Sequence, residues 1–486
     1  MRILVFTFLV IITVFAITSC SNSNDIPSYC PFTPFFEDRS LLYGETLTFI
    51  VPSSDPIRLQ RRQRYISSFN REWRDYNVSV RLRVVDDDTP EHSIFQQVVS
   101  VEMMAGSLDA LILLEEGFSD GRRGIDWRNP SISMFFADMW PVLNADPDFH
   151  EDNFIVNIFD ALTLSDDSLR VIPTAVNVSY FSANRTIPGL VNAFSTFDFV
   201  TIEDLHKLHN KFAVYDSFYM FLGYSPVRIA PIIAHEFLDL SNRTARFNSS
   251  EFADMLTHSL KMTNLRPNNT MFGMWYVTHG IVEPELLHAA KYAFRRSIPL
   301  VHIYELLLLE GHESLFSTPV PMTNNQGKLL IDPFNPFALS VTSTYAQRVL
   351  AWEFIKHMSS CERVDEQPFY SQVMSIYRSS LHRLIYWTVA RWFPGVAAWC
   401  PMGLRYRSAQ NTGFNLAVTQ DEAIEALICF HENLAQMPMV LNHFMTRPML
   451  YAIESNVGSL RDGLLLPSQA AANIQNTVML ILLEGN

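Results

Sequence analysis

The sequence contains few residues at the spacings that covalent chemistry requires. It has no GxSxG, HExxH or P-loop pattern. His235-Glu236 and His312-Glu313 both lack a second histidine at zinc-site spacing, and Asp86-Asp87-Asp88 stands in a polar turn. We therefore predict no enzyme, no cofactor and no metal. An exported hydrolase stays open as a third hypothesis, although no set of catalytic residues supports it.

Two polar loops follow predicted apolar strands. "PSSDP" comes after "LTFIV", and "EEGFSDG" comes soon after "LDALILL". In parallel α/β sheets, ligands bind outside the carboxyl ends of the strands, at the loops that lead into helices. These two loops are therefore where we expect a ligand to bind.

A cysteine ends the apolar N-terminal run, in "AITSC". The run is about 15 residues long, shorter than the roughly 20 that a spanning helix needs, which predicts a signal peptide over residues 1–19. Ile17-Thr18-Ser19-Cys20 resembles the lipobox of bacterial lipoproteins, which implies a lipid on Cys20 as the new N-terminus. A plain signal peptide is the alternative. The polar, proline-rich residues 20–44 predict a flexible tether.

Composition limits the class of protein. The 486 residues are 48% hydrophobic and 18% charged, which argues against disorder. The formal net charge of −14 disfavours nucleic acid as a partner. Cys30, Cys361, Cys400 and Cys429 form no CxxC motif, so no zinc site is indicated, and any disulfide pairing among them stays open.

The predicted elements start in the order β-α-β-α-β. Strands are predicted at Leu47 to Val51, Val78 to Asp86 and Leu108 to Leu114, with helical spacing between them and Gly106 ending the second helix. This order is typical of a parallel, doubly wound sheet. Several arginines lie around the first helix, away from its apolar positions; a solvated face is the simpler interpretation and a docking patch the alternative. They are arginines 58, 61, 62, 64, 71 and 74.

Later segments predict a connection between domains and a closing helix. "DSLRVIPTAVNVSYFSANR" indicates a turn and then a long extended stretch that can cross between domains. Thr201 and Asp204 have the spacing of a capping box. "LPSQAAANIQNTVMLILLEGN" predicts a C-terminal helix with Ala471, Ile474 and Val478 on its apolar side.

Several segments, taken in their order along the chain, resemble segments of the extracellular solute-binding proteins of ABC importers. "LDALILL" after Gly106 is similar to the family's "G-x-x-P-D-V" strand, with Leu108 in place of proline and Asp109 kept. "FFADMWPVLNADPDF", "SLRVIPTAVNVSYFSANR" and "TIEDL" resemble later family segments. "NPFALSVTSTYAQRVLAWEFIKHMSS" is the best match, and "AAANIQNTVMLILLE" resembles the last helix.

The resemblance implies an α/β, two-lobed periplasmic-binding-protein-like (type II) fold. Each lobe would be a doubly wound sheet flanked by helices, with a hinge between the lobes. After the tether, residues 45–176 would begin lobe 1 and 177–330 would begin lobe 2. Residues 331–395 would return to lobe 1, and 396–486 would supply the closing helices of lobe 2. The aromatic segment 361–412 is longer than the family core requires.

The resemblance also implies a ligand cleft lined by aromatic faces and a few polar groups, because sugars offer apolar faces ringed by hydroxyls. Each lining residue has a structural alternative as core, cap or solvated loop. The predicted ligand-binding residues are Ser54, Asp55, Glu115 and Glu116 from lobe 1, Asn177 and Tyr180 from the crossing strand, Trp275 and Tyr276 from lobe 2, and Asn335 from the returning loop.

The implied function is capture of a small solute, a sugar or oligosaccharide, for an ABC permease. The protein would be a monomer on the extracytoplasmic face of the cell membrane, held by the lipid on Cys20. An alternative is a bilobed surface interaction or sensor lipoprotein with a degenerate cleft. The departures from the family pattern at Leu108 and Phe181 motivate it.

Overall fold

The computed structural model describes residues 30–53, 56–86, 93–114, 125–185, 187–212, 219–222, 233–239, 242–262, 292–297, 320–360, 374–392, 419–441 and 445–484. Within these ranges the strands form three four-stranded sheets and one two-stranded ribbon. The strands are β1 (Thr46–Pro52), β2 (Ser79–Val85), β3 (Leu111–Leu113), β4 (Ala175–Val178), β5 (Tyr180–Ala183), β6 (Tyr219–Leu222), β7 (Leu238–Asp239), β8 (Thr244–Ala245), β9 (Tyr292–Ser297), β10 (Val320–Pro321), β11 (Leu329–Phe334), β12 (Phe337–Leu339), β13 (Met374–Ser375) and β14 (Met439–Leu441).

Within the same ranges, three short 3-10 turns lie at Arg39–Leu42, Arg74–Tyr76 and His235–Phe237. The helices of the described ranges are α1 (Thr33–Glu37), α2 (Pro56–Glu72), α3 (Ser93–Met104), α4 (Pro130–Ser133), α5 (Trp140–Leu143), α6 (Val156–Leu162), α7 (Leu190–Phe194), α8 (Ile202–Phe212), α9 (Ser250–Met262), α10 (Tyr345–Ser359), α11 (Arg378–Trp392), α12 (Gln420–Ala435), α13 (Arg447–Arg461) and α14 (Pro467–Glu484).

The first sheet has the strand order β12-β3-β1-β2. β1 runs parallel to both β2 and β3, and β12 is antiparallel to β3, so the predicted β-α-β-α-β start is confirmed. α2 buries Ile66 and Phe69 as its apolar spacing predicts. Gly106, with φ +64°, ends the turn after α3 in the left-handed conformation that glycine adopts without strain.

The second and third sheets share two continuous stretches of chain, which we term the crossing strands. β4 lies in the third sheet (β13-β4-β11-β14), and after a break at Ser179 the chain continues as β5 in the second (β10-β5-β9-β6). β10 and β11 make the return passage. The long extended stretch predicted from the sequence therefore does cross between sheets.

The buried residues of these sheets belong to two separate hydrophobic cores. The first core takes buried residues from the first and third sheets, and the second core takes them from the second sheet and from α13 and α14. Along the chain, buried residues change from the first to the second core between Tyr180 and Phe181. They return within β11, where Leu329 and Ile331 belong to the first core and Leu330 to the second, and they change again between Leu441 and Met445. The predicted two-lobed α/β fold is confirmed.

The predicted lobe boundaries stay a prediction. The two cores show which lobe the helices near the C-terminus pack against. α12 packs against α11 and contributes Ile424, Leu427 and Leu434 to the first core. The helices that close the second core begin with α13, which buries Ile453 and Val457 there.

Part of the segment predicted as a tether is folded. Phe32 and Leu42 are buried in the first core, and the Cys30 thiol lies 3.7 Å from the carbonyl oxygen of Pro141. Residues 20–29 of the predicted tether lie outside the described residues. Cys30 and Cys429 are free thiols.

The segments that carry the family resemblance meet through polar contacts. Ser343 and Gln347, at the start of α10, donate hydrogen bonds of 2.9 and 2.7 Å to the carboxylate of Asp109. Thr201 and Asp204 form the predicted capping box: the Asp204 backbone N–H donates to Thr201 Oγ1 at 3.1 Å, and the Thr201 N–H donates to the Asp204 carboxylate at 3.0 Å. These motif residues stabilise loops and helix ends.

Candidate functional site

Polar side chains face one another on the third sheet, where the crossing strands pair. β4 and β11 are antiparallel, with Asn177 opposite Asp332 and Ala175 opposite Phe334. Directly opposite residues of an antiparallel pair share one face, with Cβ atoms about 4.5–5.5 Å apart. Asn177 and Asp332 therefore lie side by side. We term the face that they share the polar face; Ala175 and Phe334 belong to it as well.

The two faces of these strands have different surroundings. Val176, Val178 and Ile331, which alternate with the polar face, are buried in the first core. Ala175 and Phe334 instead form a small apolar cluster of their own, outside both cores. The polar face thus lies on the side of the third sheet away from the first core, and Leu330, two residues before Asp332 on the same face, is buried in the second core.

Two serines extend the polar face along the sheet. Ser375 of β13 is paired with Ala175, so it lies on the same face, and its hydroxyl accepts a 3.1 Å hydrogen bond from the Tyr377 N–H. Ser179 stands at the break between β4 and β5 and is 2% exposed. Its Oγ has no hydrogen-bond partner. A buried hydroxyl without a partner costs about 1–3 kcal/mol, so this oxygen offers an unused hydrogen bond.

The chemistry of the polar face suits binding rather than catalysis. The Asp332 carboxylate accepts hydrogen bonds only, whereas the Asn177 and Asn335 amides can both donate and accept. Such a set can hold neighbouring hydroxyl groups in a fixed orientation. Within the described ranges, no group of three or more His, Cys, Asp or Glu is placed to hold a metal ion.

Three of the predicted ligand-binding residues lie in the described structure, and two of them adjoin the polar face. Asn177 is half-buried on it. Asn335 follows β11 directly and is also half-buried, with a left-handed backbone (φ +48°) that asparagine tolerates better than most residues. The remaining predicted positions lie outside the described residues: Cys20, Ser54, Asp55, Glu115, Glu116, Trp275 and Tyr276.

Tyr180 lies on the side of the first core. Its side chain is fully buried and its ring centroid is 6.1 Å from that of Phe430. Burial raises the pKa of its phenol, and the hydroxyl has no hydrogen-bond partner. The predicted contact of Tyr180 with a ligand stays a prediction.

Asp332 is the residue of this site that sequence reasoning missed. It interrupts the apolar strand "LLIDPF", and it is 4% exposed. A carboxylate within an otherwise apolar strand is costly to bury, so its position was itself a signal of a specialised environment.

No protein-family model matches the sequence, and no curated protein matches it. Solved structures do match over most of the chain. The sugar-binding protein MalE from Xanthomonas citri has 12% identity and a TM-score of 0.54, covering 90% of this chain and 98% of that one. A family 1 extracellular solute-binding protein from Alicyclobacillus acidocaldarius has 11% identity and a TM-score of 0.51, covering 90% and 98%. The chain has the fold of the extracellular solute-binding proteins.

A further structure with this solute-binding-protein fold contains a small ligand. It is an ABC transporter solute-binding protein from Agrobacterium radiobacter in complex with ribitol, with 14% identity and a TM-score of 0.51, covering 90% of this chain and 99% of that one. Within the described residues of the present chain, no helix combines the length and apolar character needed to span a bilayer.

A second polar contact joins the two cores of this solute-binding-protein fold. Asp126, between the first-core residues Ile125 and Trp127, accepts a 2.9 Å hydrogen bond from the backbone N–H of Arg447, the first residue of α13. Burial raises the pKa of Asp126, and hydrogen bonding from Arg447 opposes this shift. The Arg447 guanidinium also donates to Gln96 Oε1 at 2.9 Å. The first lobe thus supplies a carboxylate that caps α13 of the second lobe.

Proposed function

We propose that this chain is a lipid-anchored receptor that binds a small polyhydroxylated solute and delivers it to an ABC permease. The solute is a sugar or oligosaccharide, and Asn177, Asp332 and Asn335 contact its hydroxyl groups. The observation that carries the proposal is the pairing of Asn177 with Asp332 on the crossing strands, on the face of the third sheet that is away from the first core. In bilobed binding proteins, hinge closure around the ligand occurs at such connections.

The fold supports the receptor role, and two solved chains with that fold point to the solute class. One is described as sugar-binding and another holds ribitol, a polyol. An aspartate beside an asparagine suits vicinal hydroxyls, because a carboxylate accepts from O–H groups and an amide can donate to the next oxygen. Ser54, Asp55, Glu115, Glu116, Trp275 and Tyr276 complete the proposed lining.

Replacing Asp332 by asparagine is expected to weaken saccharide binding by about tenfold, because a hydrogen bond to a charged group contributes about 1.5–3 kcal/mol and the amide retains part of it. Titration calorimetry against maltose, maltotriose and ribitol measures the change. Asp254→Asn, at an exposed position of α9, is the matched control and should leave affinity unchanged. If the wild-type chain folds but binds none of a broad panel of saccharides and polyols, the receptor proposal is wrong.

One observation favours the alternative, an interaction or sensor lipoprotein with a degenerate cleft. Asp332 is only 4% exposed, as a filled cleft would require. This alternative predicts no ligand heat in the same calorimetry and no change in small-angle X-ray scattering on addition of any panel member. Compaction on addition of a sugar would exclude it.

Lipid anchoring depends on Cys20. Replacing Cys20 by alanine is expected to move the protein from the membrane fraction to the medium or periplasm, because the proposed lipid is attached through the thiol of this residue. Fractionation and immunoblotting measure the change, with Cys30→Ala as the matched control. Retention of the Cys20→Ala protein in the membrane fraction would show that the lipobox interpretation is wrong.

A further inference from the structure

The start of α13 lies directly after one of the passages between the two lobes. Buried residues change from the first core to the second between Leu441 and Met445, and α13 begins at Arg447. Relative motion of two lobes is absorbed by a few positions in loops or at the ends of elements. A contact that the first lobe makes with the start of α13 is therefore well placed to resist such motion.

Two side chains of the first lobe hold this helix start. Asp126, buried beside the first-core residue Ile125, accepts the Arg447 backbone N–H at 2.9 Å. Gln96, which follows the first-core residue Phe95, accepts a 2.9 Å hydrogen bond from the Arg447 guanidinium. A carboxylate at a helix N-terminus is favoured by the helix dipole and by the backbone N–H groups that have no partner within the helix. Backbone and side chain of Arg447 thus both bind the other lobe.

Three other helices of the described ranges are capped by their own threonine. Thr201, Thr344 and Thr419 each accept a hydrogen bond from the backbone N–H three residues later, at 3.1, 3.2 and 3.3 Å. Thr446, at the same position before α13, has the extended backbone of a cap (φ −66°, ψ 157°), but its side chain makes no capping hydrogen bond. The Thr446 hydroxyl is buried and has no hydrogen-bond partner within the described structure. The other lobe, and not its own threonine, therefore caps α13.

The unused threonine gives the start of α13 a second way to be capped. When the Asp126 carboxylate withdraws, the Thr446 hydroxyl can accept the backbone N–H of Met449, as the threonines of the other three helices do. Pro448 lies between them and has no N–H, so Met449 is the donor at the usual capping distance along the chain. Release of Asp126 therefore costs less than the loss of a cap that nothing replaces.

We propose that Asp126 and the start of α13 form a latch between the lobes, and that Thr446 is the replacement cap when the latch opens. Asp126 stabilises the latched arrangement of the lobes, whereas Thr446 stabilises the unlatched one. The latch acts in the ligand-free chain and goes beyond the proposed function. It also sets the affinity for a solute that binds one arrangement only, because that affinity falls with the population of the competent arrangement.

Small-angle X-ray scattering of the ligand-free chain carrying Cys20→Ala, which lacks the proposed lipid, tests the latch. Asp126→Ala should shift the equilibrium between the two arrangements about tenfold toward the unlatched one, because the cap from the first lobe is lost. Asp126→Asn should scatter like the wild type, since asparagine caps helices as well as aspartate does. Hydrogen exchange followed by mass spectrometry gives a second readout, and it should be faster at residues 445–452 in Asp126→Ala.

Thr446→Val should act in the opposite direction to Asp126→Ala. Added to Asp126→Ala, it should return the scattering part of the way to that of the wild type, because the unlatched arrangement then loses its replacement cap. Gln96→Ala, which removes only the contact of the Arg447 guanidinium, should shift the equilibrium toward the unlatched arrangement by a smaller factor. It also tests the latch if Asp126→Ala does not fold.

The matched control is Asp138→Ala, which removes a carboxylate that works within the first lobe. Asp138 Oδ1 accepts the backbone N–H groups of Trp140 at 3.1 Å and Leu169 at 2.9 Å. This variant should be less stable and should scatter like the wild type. Unchanged scattering in both Asp126→Ala and Gln96→Ala, or an equal change in Asp138→Ala, would overturn the latch. Saccharide calorimetry on the same variants separates the two proposals: a shift in scattering without saccharide binding removes only the receptor proposal.

Discussion

Replacing Asp146 by alanine is expected to lower the free energy of unfolding by about 3–5 kcal/mol, because it breaks a buried ion pair from one side. The Asp146 side chain is 1% exposed. Its Oδ2 accepts hydrogen bonds of 2.6 Å from the Trp352 indole N–H and 2.7 Å from Lys356 Nζ. Lys356 also binds Glu353 at 2.7 Å. Without Asp146, a buried indole N–H loses its partner and the buried ammonium retains a single carboxylate.

Urea unfolding followed by tryptophan fluorescence measures this effect. The matched control is Glu203→Ala, which removes the Glu203–Lys207 pair at 2.7 Å on the exposed surface of α8. Exposed pairs contribute about 0–1 kcal/mol, so the control should change stability little. A similar small change for both variants would contradict the assignment of Asp146 to the stability of the first core.

Acidification from pH 7.5 to 4.5 is expected to remove about 3 kcal/mol of stability through His431 alone. His431 is 2% exposed on α12 and both ring nitrogens have no hydrogen-bond partner. Burial, with a smaller contribution from His382, lowers its pKa to about 4 from the ordinary 6.5. Above pH 6.5 the His431 imidazole is neutral in both the folded and the unfolded chain. Between pH 6.5 and 4 only the unfolded chain binds the proton, so the free energy of unfolding falls as the pH is lowered.

Comparing His431→Leu with the wild type at both pH values isolates this contribution. The leucine variant should lose about 3 kcal/mol less on acidification. It should be at least as stable as the wild type at pH 7.5, because two unpaired buried nitrogens are removed. His150→Gln, at a side chain that is 47% exposed, is the control and should keep the wild-type pH dependence. An unchanged pH dependence in His431→Leu would contradict the prediction.

Local sequence patterns were sufficient for the first β-α-β-α-β unit, the Thr201–Asp204 cap and the C-terminal helix. Each depends on residues within one or two turns of each other: Gly106 ends its helix, and Ala471, Ile474 and Val478 are buried on one side of α14. The spacing of the apolar residues and the residue types at the helix ends are enough to predict such features.

The candidate site was predictable only in part. Asn177 and Asn335 were inferred from the family resemblance at the crossing and returning segments. Asp332 was missed because its importance comes from its pairing with Asn177, and that pairing depends on a strand register between distant segments. The burial of Asp146 beside Trp352 and Lys356 could likewise not be predicted from local sequence patterns, because the contact joins distant parts of the chain.

By itself, the sequence determined the order of the elements, the class of the fold and the concentration of arginine along α2. The tertiary structure alone decided which side chains belong to a core and which to the candidate site. Asn177 lies on the polar face while Tyr180, three residues later, lies in the first core with Val176 and Val178, because residues an odd number of positions apart point to opposite faces of an extended chain. Successive residues of a strand point to opposite faces, so the long-range register fixes what each one contacts.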